Sequence, residues 1–281
     1  MAGLLKGLHH VTSFAGKPKG NVTFHERVLG AKLVKRTVNF DDPGTLHLYF
    51  GNETGSPGTI FTSFPSPKHA RGWSGTPEIA AVIVETDAAG LQRARATDGS
   101  VETDSAVVIK DPDGLEYRCQ VSRDVARGSR VGGAVLRVPD ADETRGFLCD
   151  VLGFARDGDD AVLDADGAPT ARVSFEPADG RTPRFGAGVV HHVAWRVEDE
   201  AGQMRVAEAL RDAGIAATPV RDRVYFRSIY FRIPGGVLFE VATDEPGFTA
   251  DEPAESLGER LCLPGWLEER RDELEKRLPA L

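Results

Sequence analysis

The chain has 281 residues, 41% of them apolar and 27% charged, a composition that can fill the cores of about two domains and excludes long disorder. Forty-three acids against 34 lysines and arginines give a net charge of −9 with no basic block, which argues against a nucleic-acid groove or an anionic membrane as partner. There is no long apolar run, Met1–Val11 lacks the marks of a signal peptide, and Cys119, Cys149 and Cys262 are scattered; the expectation is a cytoplasmic globular protein without a disulfide frame or zinc cluster.

In chain order, one plan recurs four times. Copy one, near 7–64, opens on Gly7-Leu8-His9-His10-Val11 and closes a helix on Phe24-x-x-x-Val28-Leu29-Gly30. Copy two, near 77–122, has the apolar run Glu78–Val84, a helix-like Ala88–Ala96 and Pro112-Asp113-Gly114-Leu115-Glu116-Tyr117-Arg118. Copy three, near 130–177, repeats the helix end as Phe147-x-x-x-Val151-Leu152-Gly153, with Arg130-Val131-Gly132-Gly133-Ala134 in the register of the first strand. Copy four, near 188–243, carries Val190-His191-His192-Val193-Ala194-Trp195-Arg196-Val197, a helix start in the acidic run Glu198–Glu200, and Pro234-Gly235-Gly236-Val237-Leu238-Phe239-Glu240. Each copy thus reads as a short apolar strand, a helix capped by glycine in copies one and three, and about three strands separated by Gly/Pro/Asp turns. The predicted class is α+β, with four βαβββ modules paired into two domains whose mixed sheets are cupped. Neighbouring copies pair in this reading, giving domains 1–125 and 126–250. The tail 251–281 would be a C-terminal helix with Leu263, Leu267, Leu274 and Leu278 on one face, docked on the body or on a second subunit of a homo-oligomer.

A structural repeat isolates chemistry, because positions that only hold the fold stay apolar or glycine in every copy. At the first-strand site the copies carry His9-His10, Ala80-Ala81, Gly132-Gly133 and His191-His192; at the last-strand site copy two has Arg118 where copy four has Glu240. Two histidine pairs and one carboxylate are therefore not required by the scaffold. Imidazoles and a carboxylate on separate strands of a cupped sheet suit a divalent metal with positions left open for substrate and oxygen. The turn centred on Gly235 puts Tyr230 and Glu240 at equal distances along a hairpin, so they face each other across the strands, while Ile229, Phe231, Phe239 and Val241 take the opposite face. Adjacent strand residues point opposite ways, so one histidine of each pair reaches the metal unless the strand is bulged; which one stays open. His25, His47 and His69 are read as structural.

These residues resemble the vicinal oxygen chelate (glyoxalase-like) superfamily, and more closely its ring-cleaving dioxygenases of the hydroquinone 1,2-dioxygenase type. The resemblance is carried by Leu8-His9-His10-Val11-Thr12, by Lys35-Arg36-Thr37-Val38-Asn39-Phe40-Asp41-Asp42-Pro43-Gly44-Thr45, and by His191-His192-Val193-Ala194. It continues through Arg221-Asp222-Arg223-x-Tyr225-Phe226-Arg227-Ser228-Ile229-Tyr230-Phe231-Arg232 and Leu238-Phe239-Glu240-Val241-Ala242-Thr243-Asp244. It implies His10, His192 and Glu240 as ligands of Fe(II), with Mn(II) also suited to such a set. It further implies His9 and His191 as groups behind the ligands that shuttle protons, and Thr12, Arg223 and Tyr230 along the substrate site, the last two steadying an oxyanion. The partners would be a small aromatic substrate and O2. Two rivals share the scaffold: a glyoxalase-like lyase or isomerase, which wants a further carboxylate that Thr59–Phe64 of copy one does not supply, and a drug-binding protein, which needs no metal set.

Overall fold

The computed structural model describes residues 3–165 and 168–281; residues 166 and 167, inside copy three, lie outside it. Copy one folds as β1 (Leu8–Ala15), α1 (Pro18–Phe24) with a wider helical turn over His25–Leu29, β2 (Lys32–Asn39), β3 (Asp42–Gly51) and β4 (Ile60–Pro65). Copy two gives β5 (Glu78–Thr86), α2 (Ala88–Arg95), β6 (Val101–Glu102), β7 (Val107–Lys110) and β8 (Glu116–Val121). Copy three gives β9 (Ser129–Arg137), α3 (Ala141–Asp150), β10 (Ala155–Asp157), β11 (Asp160–Ala165) and β12 (Ala168–Glu176). Copy four gives β13 (Val189–Val197), α4 (Glu200–Asp212), β14 (Arg221–Asp222), β15 (Arg227–Arg232) and β16 (Leu238–Thr243). The predicted βαβββ plan therefore holds in all four.

Local chemistry explains the helix ends. Asp87, Asp140 and Asp199 sit at the N-caps of α2, α3 and α4, each accepting from a backbone N–H three residues on, at Gly90, Glu143 and Gly202. Gly30 ends the first helix at φ 68°, a left-handed conformation a side chain would resist.

Sheet pairing departs from the expected order. One eight-stranded sheet runs β14-β15-β16-β13-β1-β4-β3-β2, and the other β10-β11-β12-β9-β5-β8-β7-β6. Copies one and four share the first sheet and copies two and three the second, so the expected pairing of one with two and three with four does not occur. The leading strands make the joins, β1 with β13 and β5 with β9, both antiparallel. The crossovers between sheets run side by side, bridged at Arg71–Ala187 and Trp73–Arg184. Both joins break register twice. His9 and His191 are skipped in the first ladder, and Ala80 and Gly132, their repeat equivalents, in the second. These are β-bulges, which bend a strand and re-aim its side chains. The two sheets and their helices contribute to one main hydrophobic cluster.

The tail docks on the body, but not as one helix. Pro264 stops the preceding chain, a 3-10 segment spans Gly265–Arg270, and α5 spans Arg271–Arg277. Leu263, Leu267 and Leu274 nevertheless converge on Val38 of β2, with Leu278 half-buried at the edge. No helix among the described residues is long and apolar enough to cross a membrane.

Candidate metal centre

The site lies where the two bulged strands meet. His10 comes from β1, His192 from β13, and Glu240 from β16, which runs parallel to β13 with Ala194 opposite Glu240. All three side chains are buried. His10 Nε2 is 3.3 Å from His192 Nε2 and 3.5 Å from Glu240 Oε2, and His192 Nε2 is 2.8 Å from Glu240 Oε2. Ligand atoms about 2.1 Å from one ion and at right angles would stand about 3 Å apart, so the triangle fits one face of an octahedron. Glu240 Oε2 supplies an independent test: it is buried without an aligned hydrogen-bond donor, while Oε1 accepts from Ser228 Oγ. An unpaired buried carboxylate oxygen facing two imidazole nitrogens is what a bound cation resolves. Burial disfavours ionisation of Glu240, yet the two imidazoles outweigh it and hold its pKa well below the usual 4.5.

The bulges bring both members of each histidine pair to the same side. His9 Nδ1 lies 2.9 Å from His10 Nδ1, and His191 Nδ1 lies 2.7 Å from His192 Nδ1. If His10 and His192 each donate from Nδ1, their Nε2 lone pairs are free for a metal, and the outer histidine fixes that tautomer. Burial, reinforced by the adjoining imidazole, pushes both His9 and His191 down to about 3. They are neutral hydrogen-bonding groups here rather than groups poised near neutrality. His191 lines the cavity over the trio. His9 does not; it packs on Phe226, ring centroids 4.9 Å apart, and its polar contact is with His10.

The cavity is about 190 Å³ and draws walls from strands at both ends of the first sheet, so that sheet is curled as predicted. Tyr230 sits directly across from Glu240, as the hairpin arithmetic requires. Ile229, Phe231, Phe239 and Val241 are buried in the main core on the other face. Arg223 donates from Nε to Tyr230 Oη at 3.1 Å and from Nη2 to Asp41 Oδ2 at 2.8 Å. It is presented by a strained turn: Val224, a β-branched residue, has φ 68°, held by a 2.7 Å bond from its N–H to Asp222 Oδ1. Thr12 lines the same cavity.

Sequence reasoning missed His47 and Tyr49, which share one face of β3 and line the cavity with Asn39, Asp41, Phe14 and Phe64. Their two-residue spacing was the available signal. His25 and His69 are structural as expected: His25 stacks on Phe50 at 4.2 Å, and His69 Nδ1 bonds the Ala15 carbonyl at 3.1 Å.

The superfamily described as Glyoxalase/Bleomycin resistance protein/Dioxygenase matches residues 130–241. MhqO of Bacillus subtilis (strain 168), assigned as a ring-cleaving dioxygenase, is 37% identical over 99% of this chain and 97% of its own length. The chain belongs to the ring-cleaving dioxygenases of this superfamily. The chlorohydroquinone/hydroquinone 1,2-dioxygenase of Sphingobium indicum is 32% identical, covering 96% of this chain and 95% of that one. A crystal structure of a Bacillus subtilis protein assigned as a dioxygenase superposes with a TM-score of 0.89 at 35% identity, over 99% of this chain and 97% of that one. Glyoxalase I from Zea mays shares the fold alone, with a TM-score of 0.62 at 17% identity over 85% of this chain and 92% of that one.

Proposed function

We propose that this dioxygenase opens the ring of a small substituted 1,4-dihydroxybenzene with O2 at a mononuclear Fe(II) held by His10, His192 and Glu240. The observation that carries the reading is the buried trio, with its unpaired Glu240 oxygen, at the floor of an aromatic-walled cavity. A cavity of about 150 Å³ can hold benzene, so about 190 Å³ suits a single ring with small substituents. Bound Fe(II) would supply the Lewis-acid and electron-transfer chemistry that couples a phenolate to O2. The protein's own part is positioning. Phe14 and Phe64 flank the cavity beside His191 and keep bulk water from the ring. Tyr230 Oη accepts from Arg223, which frees its own O–H to donate to an oxyanion and places a guanidinium behind it. His191, accepting at Nδ1, keeps its proton on Nε2 and adds a donor to the same wall.

A lyase is disfavoured on one position. Thr62 partners Thr12 in copy one as Glu240 partners Ala194 in copy four, so the repeat places a hydroxyl where a fourth ligand would be needed. The test is oxygen uptake by anaerobically Fe(II)-reconstituted protein given methylhydroquinone, chlorohydroquinone and catechol in turn, with metal content measured in parallel. Uptake with loss of aromatic absorbance is expected for the hydroquinones. Glu240→Ala should lose iron and activity and keep the fold by circular dichroism. One bound iron with no uptake on any ring, or an iron-replete active Ala variant, overturns the proposal.

A further inference from the structure

Thr62 does more than leave out a carboxylate. Its Oγ1 donates to Thr12 Oγ1 at 2.8 Å. Having committed its proton there, Thr62 can take a hydrogen bond only as acceptor, and His47 Nε2 stands 3.0 Å from it. His47 therefore carries its proton on Nε2 and accepts at Nδ1, where the Tyr49 hydroxyl lies 3.0 Å away. Burial, aided by the nearby His10 and His192, holds His47 well below 6.5, so the ring has a single proton to place. The chain runs one way: Tyr49 O–H to His47, His47 N–H to Thr62, Thr62 O–H to Thr12. Each donor is committed until Thr12, whose proton has no acceptor among the described residues. Thr12 lines the cavity and pairs with His192 across β1 and β13.

We infer that this chain makes Thr12 a dedicated hydrogen-bond donor to an anionic oxygen of a ligand bound at the trio, a phenolate, and that His47, Tyr49 and Thr62 are positioning residues for that donor. The inference rests on the ring-cleavage proposal for the phenolate, whereas the direction of the chain rests on the hydrogen-bond geometry and the burial of the His47 ring. Rotation of Thr12 or Thr62 would otherwise let either hydroxyl turn its lone pairs toward the ligand and repel an oxyanion. The buried imidazole removes that choice by locking the first link.

Two measurements on the full-length protein, loaded with diamagnetic Zn(II), test it. Two-bond nitrogen–proton correlation should show His47 as the Nε2–H tautomer, its signals identified by their loss in His47→Gln. An Nδ1–H tautomer reverses the chain and ends the proposal. The second uses 4-nitrophenol, whose absorbance reports its ionised form. Thr62→Val should raise the midpoint for ionisation of the bound probe by about one pH unit, the ten-fold effect of losing a hydrogen bond to a charged group. Thr62→Ser should restore it. An unchanged midpoint in Thr62→Val, or a Ser variant no better than Val, refutes the inference. Should the probe respond while no hydroquinone is cleaved, the donor chain stands and the ring-cleavage proposal falls.

Discussion

Replacing Lys35 with methionine isolates a buried electrostatic commitment outside the His10–His192–Glu240 trio. The Lys35 side chain is fully buried on β2, with Nζ 2.5 Å from Asp251 Oδ1, bonded also to Glu252 Oε2, and 4.9 Å above the Tyr225 ring. Asp251 and Glu252, with Cys262, form a ligand-like cluster whose cation is this ammonium. Methionine keeps the length and removes the charge. Asp251 keeps 29% of its side-chain exposure and can rehydrate, but Glu252 keeps 1%, and its nearest other cation is Arg260 Nε at 3.8 Å. Breaking a buried pair from one side costs about 3–5 kcal/mol; with Asp251 partly rehydrated, the lower end applies, about 3 kcal/mol. At about 2 °C per kcal/mol for a chain of this size, the melting temperature should fall by about 6 °C. Thermal melts by near-ultraviolet circular dichroism measure it directly. Lys35→Met with Glu252→Gln should recover at least half the loss, since a neutral amide needs no counter-charge. A single-variant loss below about 1 kcal/mol, or a double variant no better than the single, refutes the buried-pair reasoning.

Three further outcomes follow from named contacts. Tyr230→Phe should retain metal and lower kcat by about 100-fold, the usual order for one lost oxyanion donor; unchanged kinetics would make Tyr230 a packing residue. Gly133→Ala should cost at least about 2 kcal/mol of stability, read as a lower denaturant midpoint, because a Cβ there would lie 2.0 Å from the Arg172 carbonyl oxygen. Val224→Gly should stabilise by about 1 kcal/mol by relieving left-handed strain on a β-branched residue, and a lower melting temperature would show that the Val224 side chain packs more than it strains.

Much of the site was legible because it is local or repeated. The four-copy register singled out His9-His10, His191-His192 and Glu240 against Ala80-Ala81, Gly132-Gly133 and Arg118, and a hairpin centred on Gly235 sufficed to set Tyr230 opposite Glu240. Sheet partnership was not legible, because every leading strand offers the same apolar alternation and either pairing buries it. The bulges at His9 and His191 are properties of the β1–β13 ladder, not of either strand alone. His47 was misjudged for the same reason: on β3 it is one polar residue among apolar ones, and only curling of the sheet brings it over the trio. The leucines of the tail were correctly grouped but wrongly joined, since convergence on Val38 needs proximity and not one continuous helix.

The unexpected pairing is also what the chemistry demands. Had copy one paired with copy two and copy three with copy four, His10 and His192 would stand in different sheets rather than on one ladder with their Nε2 atoms 3.3 Å apart. Joining copies one and four edge to edge puts both histidine pairs on one ladder and leaves the parallel strand β16 to deliver Glu240 beside them. The second sheet has the same ladder and the same two bulges, so its geometry alone would permit a second centre. Its residues forbid one. Ala81 offers no ligand, Gly133 has no room for a side chain against Arg172, and Arg118 brings a positive charge to the place of the carboxylate, tied to Glu116 at 3.0 Å and to Glu176. Arg137 lines the same hollow, pairing with Glu78 and, at 2.5 Å, with Glu176. A cation entering that cup would have to displace two guanidinium groups from three carboxylates, so the duplicated ladder serves as support for the one that carries the trio.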